Sequence, residues 1–275
     1  MIIGASSFAS PLDELRKEVE CIEFYVPKLQ IYNGNKLLKY RVRELRDILS
    51  TGNTLTTLHA PYCGITPGYP IDLIVDTANM GRREFGLMEE SIDLAVELGC
   101  SVVVVHPGKI TGDRDACFTG MVTNLRRLAH FAENSGIVLG LENLSGTDPA
   151  NLCCTAEEHM RAITEVNSPN LKATFDIGHA NLTCRGDAVK LRSFIIDMGD
   201  NVVHVHVHDN DGMPADRYFG DVHGAPGNGN IDFSLLRELH FDGVYNLEVF
   251  SMPDVRAGKR ILKNLEQWTL DKYSA

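Results

Sequence analysis

Short apolar runs alternate with amphipathic stretches along the whole chain. The runs fall at residues 2–5, 21–25, 54–59, 101–106, 137–142, 172–176, 202–208 and 245–249. Several are nearly continuous, as in Ser101-Val102-Val103-Val104-Val105, which is the pattern of parallel strands buried on both faces. Between them, residues 87–98 carry apolar side chains three and four apart and stop at Gly99, and residues 121–133 do the same and stop near Gly136. Thr155-Ala156-Glu157-Glu158 reads as a capping box opening a helix, and residues 187–198 and 254–269 supply further long helices. Strict strand–helix alternation predicts a parallel sheet. Eight such units in 275 residues predict closure into a (β/α)8 TIM barrel, an α/β fold with residues 1–275 as one domain. No GxGxxG follows the first strand, which argues against a dinucleotide-binding sheet. Two connections, 60–77 and 209–230, are long and are expected to lie over the barrel mouth.

Polar residues should be rare in buried strands, yet they stand where six of these runs end: His59, His106, Glu142, Asp176, His206 and Glu248. Barrel active sites are built at that C-terminal rim. Any one of these residues alone is most simply a hydrogen-bonded rim residue, but carboxylates gathered there would repel unless a cation neutralised them. A divalent metal site is therefore predicted, with His, Asp and Glu ligands suited to zinc first and to manganese as an alternative. His179 follows Asp176 by three residues, and Asp221 and His223 form a DxH pair in the second long loop, so these extend the cluster. In Val203-His204-Val205-His206-Val207-His208 the three imidazoles face one way at successive heights. His206 is the first choice for a ligand and His208 the second, with His204 a buried hydrogen-bonded residue. His130, His159 and His240 fall on or beside helices and are not expected to be ligands.

The formal charge of −11 makes a nucleic acid a poor partner, although three bound divalent ions would lift it to about −5. Seven scattered cysteines without a CxxC spacing point to reduced thiols in a cytoplasmic protein. The first residues are too short and uncharged for a signal peptide, and no apolar run is long enough to span a membrane. Oligomeric state is not legible.

The stretches Leu58-His59-Ala60-Pro61-Tyr62, Val105-His106-Pro107-Gly108, Leu141-Glu142-Asn143, Phe175-Asp176-Ile177-Gly178-His179, His206-Val207-His208-Asp209-Asn210-Asp211-Gly212, Asp221-Val222-His223 and Leu247-Glu248 carry a resemblance. The chain resembles the superfamily of xylose-isomerase-like barrels that includes sugar isomerases and epimerases and the endonuclease IV family. The first branch implies one metal on Glu142, Asp176, His206 and Glu248, with Glu142 and Glu248 moving a substrate proton. The second implies up to three zinc ions on His59, His106, Glu142, Asp176, His179, His206, Asp221, His223 and Glu248. Departures from the endonucleases are Leu144-Ser145-Gly146, where they carry a Thr, and Cys63 after Tyr62, where they place an apolar wedge. The run from His208 to Gly212 looks more like the sugar branch.

Two activities follow as expectations. The first is a sugar or sugar-phosphate isomerase or epimerase in which Glu142 and Glu248 act as base and acid. There Lys109 is either solvated or placed to meet a phosphate. The alternative is a multinuclear zinc phosphoesterase acting at abasic DNA sites. A non-catalytic metal-binding barrel is disfavoured by the pair of rim carboxylates.

Overall fold

The structure is a computed structural model that describes residues 1–50, 52–64 and 68–273, with 268–273 as backbone only. Eight parallel strands close into a barrel. They are β1 (Ile2–Ser6), β2 (Cys21–Tyr25), β3 (Leu55–His59), β4 (Val102–Val105), β5 (Val138–Glu142), β6 (Leu171–Asp176), β7 (Val202–Val207) and β8 (Val244–Leu247). Each pairs with the next, and β8 pairs back with β1 through Ile2–Val244 to Ala5–Leu247. Every predicted strand is present, with ends shifted by one or two residues. His106, His208 and Glu248 lie just beyond their strands.

The surrounding helices are α1 (Leu12–Glu18), α2 (Lys39–Leu49), α3 (Arg82–Glu97), α4 (Arg114–Phe131), α5 (Ala156–Val166), α6 (Ile177–Thr183), α7 (Ala188–Met198) and α8 (Met252–Tyr273). Helix α3 ends as its sequence predicts. Gly99 takes φ +70, and the Cys100 N–H closes on the Ala95 carbonyl at 2.8 Å. Helix α4 begins earlier than its apolar spacing suggests, because the Asp113 carboxylate caps the Ala116 N–H at 2.9 Å. At α5 half of the capping box forms. Thr155 accepts from the Glu158 N–H, while the Glu158 carboxylate turns to the Cys153 N–H at 2.7 Å and to Arg114. Strand–helix alternation is interrupted among the described residues by a small antiparallel hairpin, Tyr32–Asn33 with Lys36–Leu37, before α2; α6 and α7 both follow β6, and β7 is followed by a 3-10 segment, Phe233–Leu239, after the long loop.

Two zones divide the interior. Between strands and helices lies an apolar shell that includes Ile22, Phe24, Leu58, Leu141, Phe175, Val205 and Leu247, all essentially inaccessible to water. Inside the barrel the side chains are small or polar: Ser6, Glu23 and Asn246 hydrogen-bond across it, and Gly4 leaves space beside Asn246. A polar interior is tolerable only where each group finds a partner. All seven cysteines are free thiols, and all but Cys63 are buried. Among the described residues no helix is long and apolar enough to cross a membrane. Residues 65–67 of the first long loop lie outside the described residues.

Gly140 gives a direct test of this packing. A Cβ there would strike the Thr174 hydroxyl and press on Val102, in a register where Gly140 faces Lys172 and Val104. Gly140→Ala is expected to lower unfolding free energy by about 1–3 kcal/mol in urea titrations. An unchanged midpoint would show that the barrel interior yields more easily than its packing suggests.

Candidate functional site

Barrel closure gathers the predicted residues at one end. His59, Glu142 and Asp176 are the last residues of β3, β5 and β6. Register sets Asp176 beside His206, and His206 beside Asn246. Asp176 also caps α6, accepting the His179 N–H at 2.7 Å, so the helix start fixes both residues. Asp221 and His223 come from the loop after β7. That loop is pinned by Asp209, whose buried carboxylate accepts the backbone N–H groups of Asn210, Gly227, Gly229 and Ile231.

All nine predicted residues fall into three contiguous groups whose ligand-type atoms lie within 4.8 Å of one another in each group. In the first, His206 Nδ1 stands 3.5 Å from Glu142, 3.6 Å from Glu248 and 3.8 Å from Asp176. In the second, His59 and His106 approach the same Glu142 oxygen at 3.6 and 3.1 Å. In the third, the Nε2 atoms of His179 and His223 face Asp221 at 3.2 and 3.3 Å. His208 joins the third group, 3.7 Å from Asp221 and 3.2 Å from Asp176. His206 therefore stands in a different group from His208. Gly178 makes room for it, because a Cβ there would overlap the His208 ring.

Neighbouring acceptors set the imidazole orientations. The Nδ1 atoms of His59, His179 and His223 face the carbonyls of Ala60, Asn143 and Glu248 at 2.9, 3.0 and 2.9 Å. A ring nitrogen against a carbonyl must carry the proton, so in the neutral ring Nε2 is the lone-pair donor. His206 is turned the other way. Its Nε2 donates to the fully buried Glu23 at 3.0 Å, which leaves Nδ1 toward the first group. Glu23 also accepts from His204 at 2.9 Å and from Asn246 and Ser6, so it orients ligands and has no valence left for a cation. The sequence reading passed over Glu23. Its only signal is a carboxylate in the middle of a strand whose other residues are apolar or aromatic. His204 is the buried hydrogen-bonded residue expected, His159 bonds the Leu141 carbonyl, and His130 lies on the surface beside Glu133.

Glu142 Oε2, Asp176 Oδ2 and His206 Nδ1 of the first group are buried without a hydrogen-bond partner, as are His208 Nε2 and Asp221 Oδ1 of the third. Uncompensated buried polar atoms cost about 1–3 kcal/mol each, more when charged. The three of the first group, aimed at one point, fit a cation.

Proton affinities follow the crowding. Burial would raise Glu142, but the imidazoles of His106 and His206 hold it well below the usual carboxylate range. Burial raises Glu248, against the pull of His206 and His223. Burial lowers His106 to about 4, whereas at His223 the Asp221 charge overrides burial and lifts it to about 10.

Above the groups opens a cleft of about 580 Å³. Glu142 and Glu248 line it, together with Tyr25, Tyr62, Phe219 and Phe250. Asp176 and His206 do not reach it and lie beneath its floor. Lys109 is not solvated: its ammonium pairs with Asp148 at 2.7 Å and with Asn151.

A family model described as a xylose isomerase-like TIM barrel matches residues 15–269. The chain belongs to this family. Within this barrel family, an uncharacterized protein of Methanocaldococcus jannaschii is 32% identical over 84% of this chain and 75% of its own. The fructoselysine 3-epimerase of Shigella flexneri is 28% identical over 71% of this chain and 70% of its own. A solved D-tagatose 3-epimerase-like protein superposes with a TM-score of 0.80 at 26% identity, covering 99% of this chain and all of that one.

Two outcomes are expected of this xylose isomerase-like site. Glu23→Gln, which weakens the acceptor behind His206, is expected to reduce divalent-cation affinity by about 10–100-fold in competition with a chelating dye, with the circular dichroism spectrum kept. Without cations, thermal stability should peak near neutral pH. The raised His223 contributes fully below about 6.5 and loses its contribution as pH rises toward about 10. The lowered His106 contributes above about 6.5 and loses it as pH falls toward about 4. A thermal midpoint that climbs steadily from pH 6 to pH 10 in chelator-treated protein would contradict this account.

Proposed function

We propose that the chain is a divalent-metal-dependent sugar epimerase or isomerase that moves a proton at a carbon next to a ketone. The observation that carries the reading is the division of labour within the first group. Asp176 and His206 lie under the floor, while Glu142 and Glu248 both line the cleft. The four residues Glu142, Asp176, His206 and Glu248 would hold the cation. A bound divalent ion would polarise adjacent substrate oxygens and acidify the C–H between them.

The remaining chemistry belongs to the chain. Glu142 and Glu248 come from β5 and from the end of β8, three strands apart, so they approach a cleft ligand from different directions. One carboxylate removes the proton and the other returns it on the opposite face, which inverts the carbon. Their shifts are opposed, Glu142 held low by the imidazoles of His106 and His206 and Glu248 raised by burial, so the two carboxylates differ in proton affinity. The aromatic walls exclude water from the carbanion-like intermediate. The named activity of the Shigella relative, a 3-epimerase, is of this reaction class.

The other five predicted ligands, His59, His106, His179, Asp221 and His223, would serve further ions, up to three in all. The first group, with three carboxylates, suits a manganese-like ion, and the imidazole-rich third group suits zinc. The completeness of that set favours a second reading, a multinuclear zinc phosphoesterase. His208 weighs against it. Three imidazoles and a carboxylate would by themselves satisfy a zinc ion, which favours a holding role for this group over activation of a phosphate. The charge of −11 also disfavours a DNA substrate. The partner proposed is a small sugar, and the buried free thiols suit the cytoplasm.

In heavy water with manganese supplied, a ketose substrate is expected to take up deuterium at the epimerised carbon. Glu142→Gln and Glu248→Gln are each expected to lower turnover by about 10²–10⁴-fold. Elemental analysis and an abasic-duplex assay form the second arm. Duplex cleavage without any proton exchange across a ketose panel would replace the epimerase reading with the phosphoesterase.

A further inference from the structure

Two cations at the cleft mouth have no acidic partner among the described residues. One is Lys28, at the end of the single 3-10 turn Val26–Lys28 that carries the chain off β2 across the rim. Its ammonium lies over three rings, 5.5 Å from the centroid of Phe8, 5.8 Å from Phe250 and 5.9 Å from Tyr25. The other is Arg217, in the loop after β7, whose guanidinium lies 5.2 Å from the Tyr218 ring. Both line the cleft, and no carboxylate of the described residues lies within 4.0 Å of either. Lys109, on the same wall, is neutralised by Asp148.

The backbone beside Arg217 is held in an unfavourable state. Tyr218 and Phe219 take φ 51 and φ 56, two consecutive bulky residues in the left-handed region. Each such residue is uncommon and persists only where its surroundings impose it, which is typical of ligand-contacting segments. Here the strain sets Arg217, Tyr218 and Phe219 along one cleft wall. Opposite charges are thus segregated, with carboxylates on the floor and two uncompensated cations outside. The three rings around Lys28 fix where its exposed ammonium stands at the cleft mouth.

We propose that Lys28 and Arg217 form an oxyanion subsite that takes the terminal phosphate or carboxylate of a ketose whose reacting carbon lies by Glu142 and Glu248. This rests on the epimerase reading of the floor. An ammonium and a guanidinium together match either oxyanion, and the guanidinium can bind it through two parallel hydrogen bonds.

Calorimetry on manganese-loaded protein with a neutral ketohexose, its 6-phosphate and a ketohexuronate separates the sources. At least one anionic ketose is expected to bind about tenfold or more tightly than the neutral sugar. Whichever anion shows the larger preference identifies the group. That preference should fall toward unity in the double variant Lys28→Met/Arg217→Met, and persist in Lys263→Gln, on the outer face of α8. Equal binding of neutral and anionic sugars by the wild type would overturn the subsite, as would a double variant that keeps the preference. Inorganic phosphate is the independent arm. If no ketose exchanges its proton but phosphate binds in a Lys28- and Arg217-dependent way, the subsite stands and the epimerase reading fails. If ketoses exchange but charge is ignored, the reverse holds.

Discussion

Glu142, Asp176 and Glu248 meet His206 in a space from which water is excluded, and that concentration of charge dominates the design of this barrel. Separately, each carboxylate could have found a lysine or arginine. Together and buried they repel, and removing them from water costs several kcal/mol apiece. Only imidazolium groups or a cation can sit among them. The protein supplies the imidazoles but leaves Glu142 Oε2, Asp176 Oδ2 and His206 Nδ1 without hydrogen-bond partners. The fold therefore holds a site that is unfavourable in isolation, with its stability drawn from the apolar shell between strands and helices.

Holding such a site open requires a second layer that orients its imidazoles. Glu23 does this for His206, and main-chain carbonyls do it for His59, His179 and His223. Asp209 extends the principle to the loop. By collecting four backbone N–H groups it converts a glycine-rich connection into a fixed support for Asp221 and His223. Catalytic geometry in a barrel is often ascribed to the loops alone. Here the loop is rigid because a buried carboxylate at the strand end organises it.

Much of this was legible without coordinates, for a physical reason. Parallel strands buried on both faces must be apolar, so a polar residue at the end of one stands out, and eight of them in a row imply closure. His59, Glu142 and Asp176 were readable in that way, and Asp221 and His223 only as a DxH pair in a loop, a weak signal that the resemblance strengthened. Glu23 was not, because it lies inside its strand, where its neighbours Ile22 and Phe24 advertise the apolar shell. His208 was read only as a competitor of His206, since alternation along a strand gives a common face and not a depth. Lys28 gave no signal at all. Its surroundings come from Phe8, Tyr25 and Phe250 at three distant points of the chain, which sequence spacing cannot bring together.

Glu142 belongs to two groups at once, and its Oε2 faces both His206 and the His59–His106 pair. A carboxylate has one charge to share. Whatever occupies one group alters the field felt at the other, and by thermodynamic reciprocity the influence runs equally in both directions. The two groups are therefore not independent seats. Filling the histidine pair would draw electron density from the oxygen that serves the floor of the cleft, so its occupancy would act as a dial on the basicity of Glu142.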